Sequence, residues 1–452
     1  MTGPIRNTST RPDAEEIDGV ALFPGDAEYD QARTVWNAMV DRRPSMIVRC
    51  ASVRDVVTAI RTARESGLEI GIRCGGHSVV GHAVPEGGLM IDLTPMGAVR
   101  VDVDQRRAWV QGGALLGALD RAAQEHGLAT TAGNVSHTGV GGLALGGGMG
   151  WLARQYGLTC DNVISFEVVT ADGDIVRASE SEHPDLYWAL RGGGGNFGVV
   201  TEFELRLHRV GTETLTAELD FPVAAAGPVL AAWRELNASA PRAATLTATV
   251  IDGVVTIGYV WVGDVDAGRR LLPSLRALGR PVDERVTVTS YVDLQRRGDT
   301  IDGHLLRRYW KGHYFRELPD DAIEVMLRGT THGDVAPNVS LQAYGGAIAE
   351  VADADSAFSH RDTLVELVAA SRWTDPDQDA ARIESTRAYA GTLEPFASGA
   401  YVNALNDEGA AGVRRAYPPQ KLARLTAVKD TYDPDNVFHL NHNIEPSANA
   451  RG

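Results

Sequence analysis

The chain has few cysteines and fewer basic than acidic residues. Three cysteines, Cys50, Cys74 and Cys160, occur among 452 residues. Because their number is odd and their spacing is wide, the sequence predicts neither a disulfide framework nor a zinc site. The 43 Lys and Arg residues against 59 Asp and Glu residues give a formal net charge of −16. Since an acidic surface repels polyanions, we expect neither nucleic acid nor an anionic membrane as a partner.

Apolar runs of membrane-spanning length are also missing, and the N-terminal segment MTGPIRNTSTRPDAEEIDG lacks the apolar stretch of a signal peptide. We therefore expect a cytoplasmic protein, a monomer or a homodimer, with a small-molecule substrate and no metal. Neither a P-loop motif nor a Rossmann G-x-G-x-x-G motif with its later acidic residue is present. The sequence therefore predicts neither a P-loop nor a classical Rossmann nucleotide-binding site.

Glycine, in contrast, is abundant, with 49 residues that concentrate between residues 71 and 198. The first glycine segment, residues 73–78, reads RCGGHS, and the second glycine segment, residues 133–150, reads GNVSHTGVGGLALGGGMG. Glycine tolerates positive φ and lets the backbone lie flat against a ligand. Two such segments indicate one large, flat, phosphate-bearing ligand held mainly by main chain. The histidine that ends the first turn indicates a flavin tethered through His77.

Hydrophobic periodicity predicts a mixed chain of helices and strands. In the first half we predict strands at 45–49, 68–72, 89–93, 98–103, 107–111, 163–170, 175–178 and 199–207, and helices at 27–40, 53–63, 115–125, 151–156 and 184–190. Further on we predict strands at 214–221, 245–250, 254–262 and 339–347, and helices at 229–237, 267–278 and 422–432. Ser52 is the expected N-cap of the helix at 53–63. The change of pattern near residue 210 indicates a second, separate α+β region.

Four motifs carry a resemblance to a known family. They are RCGGHSVVGHA at 73–83, the second glycine segment continued to 156, HPDLYWALRGGGGNFG at 183–198, and YVN at 401–403 with TYDPDNVFHLNHNI at 431–444. With these motifs in this order, residues 40–445 resemble the FAD-linked oxidases of the vanillyl-alcohol oxidase superfamily, which have a PCMH-type FAD-binding domain. Within it, the match is to the berberine-bridge-enzyme-like group and its bacterial 6-hydroxy-nicotine-oxidase-like members.

The resemblance implies an α+β fold. A two-subdomain PCMH-type FAD-binding domain is expected at 40–209, and an α+β substrate domain with an antiparallel sheet at 210–410. A C-terminal berberine-bridge-like segment at 411–452 is expected to return to the FAD domain.

The resemblance also implies FAD as the cofactor, joined to His77. Many relatives have a second bond from a cysteine, and that position is Val135 here, so we predict a single linkage. The expected FAD-binding residues are Arg73, Cys74, Gly75, Gly76, His77, Ser78, His82, Ala83, Gly133, Asn134, Thr138, Gly139, Gly142, Leu143, Gly147, Gly150, Trp151, Val199, Asn441 and Asn443. Thr138 matches a position that controls oxygen access in the family, and a small residue there favours an oxidase.

The reaction implied is hydride transfer from a substrate C–H (of an alcohol, an amine or a secondary metabolite) to flavin N5, with O₂ as acceptor and H₂O₂ as product. Tyr401 is the first choice of base, with Asn403 beside it on an expected strand and Tyr344 on a substrate-domain strand. Gln342 shares the face of Tyr344, whereas Glu366 is not favoured, and the cluster WKGHY at 310–314 fits a pocket or a domain contact equally well. The alternatives are an oxidative cyclase, a dehydrogenase and, more remotely, a flavin-binding protein without catalysis.

Overall fold

A computed structural model describes residues 17–300, 303–329 and 335–447. Residues 1–16 of the polar N-terminal stretch lie outside the described residues. None of the helices in the described part of the chain combines the length and the apolar character that crossing a bilayer requires.

The first layer is a four-stranded sheet that presents the first glycine segment at its edge. Its elements are β1 (Val20–Leu22), α1 (Tyr29–Ala32), β2 (Met46–Arg49), α2 (Val53–Ser66), β3 (Ile70–Arg73) and β4 (Leu89–Asp92), with strand order β1-β2-β4-β3. Strands β2 and β3 both pair in parallel with β4, and α2 makes the crossover between them. Ser52 begins α2 with a capping box, because its side chain accepts from the Asp55 N–H while the Asp55 side chain accepts from the Ser52 N–H.

The second layer is an antiparallel five-stranded sheet that carries the second glycine segment on its helical side. Its elements are β5 (Val99–Asp102), β6 (Arg107–Gln111), α3 (Leu116–Gln124), β7 (Leu128–Ala129), α4 (Val140–Leu145), α5 (Ala153–Tyr156), β8 (Val163–Val169), β9 (Ile175–Ser179), α6 (Pro184–Leu190), β10 (Val199–Arg206) and β11 (His208–Arg209). The strand order is β5-β6-β10-β8-β9, and β7 pairs separately with β11. The buried rings of Phe166, Phe197 and Phe203 belong to the core on this side of the molecule.

The third layer is a seven-stranded antiparallel sheet. Its elements are β12 (Glu213–Pro222), α7 (Ala226–Ser239), β13 (Ala244–Ile251), β14 (Val254–Val262), α8 (Val265–Arg269), α9 (Leu272–Arg276), β15 (Asp283–Ser290), α10 (Tyr291–Arg296), β16 (Arg307–Phe315), α11 (Asp320–Gly329), β17 (Asn338–Ala343), α12 (Ala347–Glu350), β18 (Val365–Trp373) and α13 (Asp379–Leu393). The strand order is β15-β12-β14-β13-β17-β18-β16. Trp233, Met326 and Tyr389 are buried in the core between the sheet and its helices.

The last elements bring the chain back to the second layer. They are α14 (Gly409–Ala416) and α15 (Pro419–Tyr432), and short 3₁₀ turns lie at Thr159–Asn162, Val223–Ala225, Gly303–Leu305, Asp353–Asp355, Pro376–Gln378, Glu394–Phe396 and Val402–Ala404. Lys429 and Asp433 form a fully buried ion pair with an Nζ–Oδ2 distance of 2.6 Å. The Lys429 Nζ also donates to the Asn196 carbonyl at 2.8 Å and to the Phe438 carbonyl at 3.0 Å. This ion pair ties the C-terminal segment to the third glycine run at 192–195.

The α+β fold with an antiparallel sheet in its second half is confirmed. The fold divides along the chain near residue 210, because the seven-stranded sheet is built only from strands that begin at Glu213 or later. We propose that the predicted segments 40–209, 210–410 and 411–452 are the domains of the protein.

Several predicted elements are wrong. The helix at 27–40 is limited to Tyr29–Ala32, because the Trp36 N–H donates to the Gly76 carbonyl at 3.0 Å and the Asn37 amide to Val79 at 2.7 Å. The helix at 267–278 is divided into α8 and α9, whose second residue is Pro273. A proline lacks the N–H that would continue the helix.

Two differences concern the site directly. Residues 401–403 are not a strand, since Val402–Ala404 is a 3₁₀ turn. The strand at 339–347 ends at Ala343, where Gly345 and Gly346 take positive φ. Strands β15, β16 and β18 and helix α13 were not predicted from the sequence.

Removing the Lys429 ammonium tests how much the C-terminal anchor stabilises the fold. We expect Lys429→Met to lower the free energy of unfolding by about 3–5 kcal/mol, because it leaves the Asp433 carboxylate buried without its partner. Chemical denaturation followed by tryptophan fluorescence measures this change. Gln420→Met, which places the same side chain at an exposed position of α15, is the control. Equal stability of the two variants would contradict the prediction.

Candidate active site

The two glycine segments touch through their main chains. An ideal Cβ built on Gly75 would lie 2.2 Å from the Gly139 nitrogen, and one on Gly139 would lie 2.3 Å from the Cys74 Sγ and from the Gly75 nitrogen. Real Cβ atoms do not approach other atoms so closely, so both positions require glycine. The contact brings the loop after β3 against the loop before α4.

His77 lies where the two segments meet. Its ring stacks on Trp36, with centroids 4.6 Å apart and planes 17° apart. The His77 Nε2 is 2.7 Å from the His137 Nδ1, and the His77 Nδ1 is 3.4 Å from the Thr138 Oγ1. The three aromatic side chains and Cys74 line a cavity of about 580 Å³. A cavity of this size suits part of a large cofactor.

The His77 imidazole is held neutral. Burial, followed by the nearby His137 and Arg308 side chains, lowers the pKa of His77 to about 3. An unprotonated ring nitrogen has the lone pair that a nucleophile requires. The ring can therefore act as a nucleophile throughout the physiological pH range.

Buried polar atoms without partners mark where a ligand would be held. Six predicted cofactor-binding residues have such an atom among the described residues: Arg73 Nε, His82 Nε2, Asn134 Oδ1, Trp151 Nε1, Asn441 Oδ1 and Asn443 Oδ1. Leaving a buried polar atom unpaired is costly, so atoms of this kind point to a partner that the protein itself does not supply. FAD has phosphate, hydroxyl and ring groups that can bond to both the donors and the acceptors. The residues present therefore fit this cofactor.

The remaining predicted FAD-binding residues follow the same two segments, with one exception. Gly76 has positive φ, the Ser78 carbonyl accepts from Gly81 at 3.1 Å, and the buried Ala83 lies against Gly71.

In the second segment the Gly133 carbonyl accepts from the Gln295 amide at 2.8 Å. The Leu143 carbonyl accepts from Asn403, Gly142 is exposed, Gly147 has positive φ, and Gly150 packs against Ala132. Val199 lies apart, in the core between the first sheet and β10.

Tyr401 and Asn403 contact the second glycine segment although they are not on a strand. The Tyr401 Oη accepts from the Gly148 N–H at 2.8 Å and from the Asn403 Nδ2 at 2.9 Å. The Asn403 Nδ2 lies 3.2 Å from the Leu143 carbonyl oxygen. Burial raises the pKa of Tyr401 above its ordinary value despite these two donors. Tyr401 is therefore a neutral phenol at physiological pH.

Glu366, which the sequence analysis did not favour, and Tyr314, which belongs to the cluster at 310–314, lie beside Tyr344. The Tyr344 hydroxyl donates to the Glu366 Oε2 at 2.8 Å, and the Tyr314 and Tyr344 oxygens are 3.2 Å apart. The Tyr314 ring is stacked near Tyr401, with centroids 6.3 Å apart. Burial raises the pKa of Glu366 to about 7. We call Tyr314, Tyr344, Glu366 and Tyr401 the tyrosine–carboxylate cluster.

One sequence signal points to Glu366. It stands inside the apolar run LVELVAA, where an acidic residue is expensive to bury unless it has a partner or a function. The Asn134 Nδ2 reaches the Gln342 Oε1 at 3.2 Å, so the seven-stranded sheet contacts the second glycine segment next to this cluster. Residues from before and after position 210 thus meet next to the tyrosine–carboxylate cluster.

The cysteines are protonated and in the thiol form. Burial raises the pKa of Cys74 to about 11 and raises those of Cys50 and Cys160 as well. The Cys74 Sγ lies 3.5 Å from the Ala114 carbonyl oxygen, and the Cys160 Sγ lies 3.7 Å from the Asp161 Oδ1. Position 135 in the second glycine segment is a valine.

Comparison with known proteins agrees with this geometry. A family profile described as FAD binding domain matches residues 44–179, and one described as Berberine and berberine like matches residues 400–445. (R)-6-Hydroxynicotine oxidase of Paenarthrobacter nicotinovorans is 31% identical over 95% of this chain and 97% of its own length. The chain belongs to the berberine-bridge-like family of FAD-linked oxidoreductases. It has an FAD-binding domain and is an enzyme.

Solved structures give the same family. The crystal structure of 6-hydroxy-D-nicotine oxidase from Arthrobacter nicotinovorans matches with a TM-score of 0.84 at 30% identity, over 95% of this chain and 98% of that one. Glucooligosaccharide oxidase from Acremonium strictum, which has a 6-S-cysteinyl, 8α-N1-histidyl FAD, matches with a TM-score of 0.87 at 25% identity over 95% of this chain and 98% of that one. The family resemblance and the fold predicted from the sequence are therefore confirmed.

The contact between the glycine segments can be tested at Gly139. We expect Gly139→Ala to lower the flavin-to-protein ratio by about tenfold, because its Cβ would force the two segments apart. The absorbance ratio of the purified protein at flavin and protein wavelengths measures this loss. Gly391→Ala, whose Cβ meets nothing within 4 Å on an exposed face of α13, is the control. A Gly139→Ala protein with full flavin content would disprove the role of this contact.

Proposed function

We propose that the protein is an FAD-dependent oxidase that removes a hydride from a C–H of a small molecule and uses O₂ as acceptor, with H₂O₂ as product. The observation that carries this proposal is the tyrosine–carboxylate cluster, because it combines a buried carboxyl, Glu366, with Tyr401, which contacts the second glycine segment. When bound, FAD supplies the hydride-accepting ring and returns the electrons to dioxygen. The side chains of the protein hold the cofactor, orient the substrate and remove its proton.

His77 is proposed as the covalent attachment point. Its ring is neutral, stacked on Trp36 and open to the cavity of about 580 Å³. A histidyl FAD is present in the glucooligosaccharide oxidase from Acremonium strictum. Both observations support a bond from this imidazole to the flavin.

A single bond is proposed, in contrast to the double linkage of that relative. Its second bond comes from a cysteine, and thiol attack requires the thiolate. Residue 135 is a valine, and the buried thiol of Cys160 contacts Asp161. Cys74 lines the cavity, but its thiol is protonated at physiological pH. These features favour attachment through His77 alone.

Glu366 is the proposed proton acceptor. Its Oε2 accepts from the Tyr344 hydroxyl at 2.8 Å. A base works best when its pKa lies near the working pH, and burial brings this carboxyl to about 7. Tyr401, the first choice from the sequence, has a raised pKa and is less suited to be the base.

Tyr401, Asn403 and Tyr344 then have orienting roles. Tyr401 accepts two N–H groups, so its own hydroxyl hydrogen is available to a substrate oxygen or nitrogen. Asn403 holds this phenol and the carbonyl of Leu143 at the same time. Tyr344 holds Glu366, so loss of either phenol would misplace the substrate or the base.

Thr138 supports dioxygen as the acceptor. It is a small side chain at the junction of the two glycine segments, 3.4 Å from the His77 ring. Named relatives of the chain are oxidases of 6-hydroxynicotine and of gluco- and xylooligosaccharides. We therefore propose (R)-6-hydroxynicotine, gluco-oligosaccharides and xylobiose as the first compounds to test, with peroxide release separating an oxidase from a dehydrogenase or an oxidative cyclase.

Acid precipitation tests the linkage. We expect flavin to stay with the precipitated wild-type protein and to fluoresce in a denaturing gel, because a covalent bond survives unfolding. His77→Ala should lose this band completely, whereas Cys74→Ser and Cys160→Ser should keep it. A band that persists in His77→Ala, or one that disappears in either cysteine variant, would contradict a single histidyl bond.

Glu366→Gln tests the base. Glutamine keeps the shape of the side chain and its bond to Tyr344, but its amide cannot accept the substrate proton. Flavin reduction by an active substrate should therefore slow by about 10²-fold or more. The second-order rate constant for wild-type flavin reduction should rise as the pH passes about 7, since only the ionised carboxylate accepts a proton and it is protonated below its pKa. Stopped-flow bleaching of the flavin measures both effects. Glu384→Gln, at an exposed position of α13, is the control, and an unchanged rate and pH profile in Glu366→Gln would assign the base elsewhere.

A further inference from the structure

We propose that His137 is a positioning residue for flavin attachment: it holds the His77 ring, directs reaction to the His77 Nδ1 and accepts the proton that His77 loses. This inference rests on the proposed function, because it presupposes a bond between His77 and FAD. It assigns a purpose to a histidine that the hydride-transfer chemistry does not use.

The geometry makes the two nitrogens of His77 unequal. The His77 Nε2 is engaged by the His137 Nδ1 at 2.7 Å, whereas the Nδ1 has only the longer 3.4 Å contact with Thr138. Trp36 covers one face of the ring, and the Arg308 guanidinium lies 3.8 Å from the centroid of Trp36. The ring is therefore held by its face and by Nε2, which leaves Nδ1 as the atom free to react.

His137 is itself held by the segment around residue 299. The Asp299 carboxylate accepts from the Ser136 N–H at 2.9 Å and from the Ser136 hydroxyl at 2.7 Å. The Thr300 backbone nitrogen lies 3.4 Å from the His137 Nε2. These bonds fix the loop that carries His137, so its Nδ1 faces His77 rather than solvent.

The proton balance assigns the role. The His77 Nδ1 has a lone pair only in the tautomer whose Nε2 carries the proton, and in that tautomer the Nε2–H donates to the His137 Nδ1. In that state a neutral His137 carries its own proton on Nε2. A bond from the His77 Nδ1 to the flavin methyl carbon would replace one methyl C–H, whose proton would leave to solvent, while the His77 Nε2 proton would pass to the His137 Nδ1 and His137 would release its Nε2 proton. The two electrons of the broken C–H bond and the two released protons would be taken up by O₂ as H₂O₂. His137 would then donate its Nδ1–H to the substituted His77, and its free Nε2 could accept from the Thr300 N–H.

The surroundings favour transfer in this direction. Burial and the Arg308 charge lower the pKa values of both histidines, but the Asp299 carboxylate opposes this change at His137. His137 is also closer to solvent than His77, so it can release the proton afterwards. Asp299 thus acts on the His137 side, whereas Arg308 lies behind Trp36.

Three variants of the full-length protein test the proposal: His137→Gln, His137→Ala and His77→Ala, with the exposed His126→Ala as control. Each is produced with FAD, purified and incubated in air while total flavin and acid-stable flavin are measured over time. We expect both His137 variants to contain FAD but to form acid-stable flavin about tenfold more slowly or worse, because a proton acceptor has been removed. Added imidazole should restore attachment in His137→Ala but not in His77→Ala. His126→Ala should match the wild type.

The outcomes distinguish the proposed linkage through His77 from the proposed role of His137. Acid-stable flavin in His77→Ala would overturn the proposed linkage and, with it, the role of His137. Loss of the bond in His77→Ala together with wild-type attachment in both His137 variants would overturn only the role of His137. Variants of His137 that contain no flavin of either kind would also overturn it, since the residue would then be required for binding.

Discussion

The main-chain contact between Gly75 and Gly139 is the constraint on which the site depends. It joins the end of a parallel strand in the first sheet to the loop before α4, although the two positions are far apart in the chain. No side chain larger than hydrogen fits on either side. Because the loops meet here, His77 stands beside Thr138 and His137, and Asn134 of the same segment reaches Gln342 of the third sheet.

The third sheet completes the site through a few polar contacts. Gln342 accepts from Asn134, and Gln295 donates to the Gly133 carbonyl at 2.8 Å. Arg154, buried at 4% exposure, donates to the carbonyl of Tyr344 and to that of Ala244. A charged group buried in this way needs several acceptors, and all of these come from the later part of the chain. When the third sheet packs against the glycine segments, Tyr344 therefore joins the same hydrogen-bond network that holds these segments.

The sequence predicted the features that depend on local chemistry. The glycine segments and the helix capped by Ser52 follow from residues near one another in the chain. Glu366 was not selected, because its position depends on strand register: it lies opposite Gln342 on one side and Tyr314 on the other. Register is set by long-range pairing, which a single sequence does not contain. Trp36 was missed for a related reason, since tertiary hydrogen bonds hold its segment out of the predicted helix.

Burial shifts the pKa values of His77 and Glu366 in opposite directions for the same physical reason. Removing water disfavours the charged form of any group, so it lowers the pKa of His77 to about 3 and raises that of Glu366 to about 7. The imidazole thereby keeps the lone pair that attachment needs, and the carboxyl becomes basic enough to accept a proton at physiological pH. Both effects require the three sheets to be packed together, because each group is covered by residues from another part of the chain. Attachment and turnover therefore belong to the folded protein, and neither is expected from an isolated glycine segment.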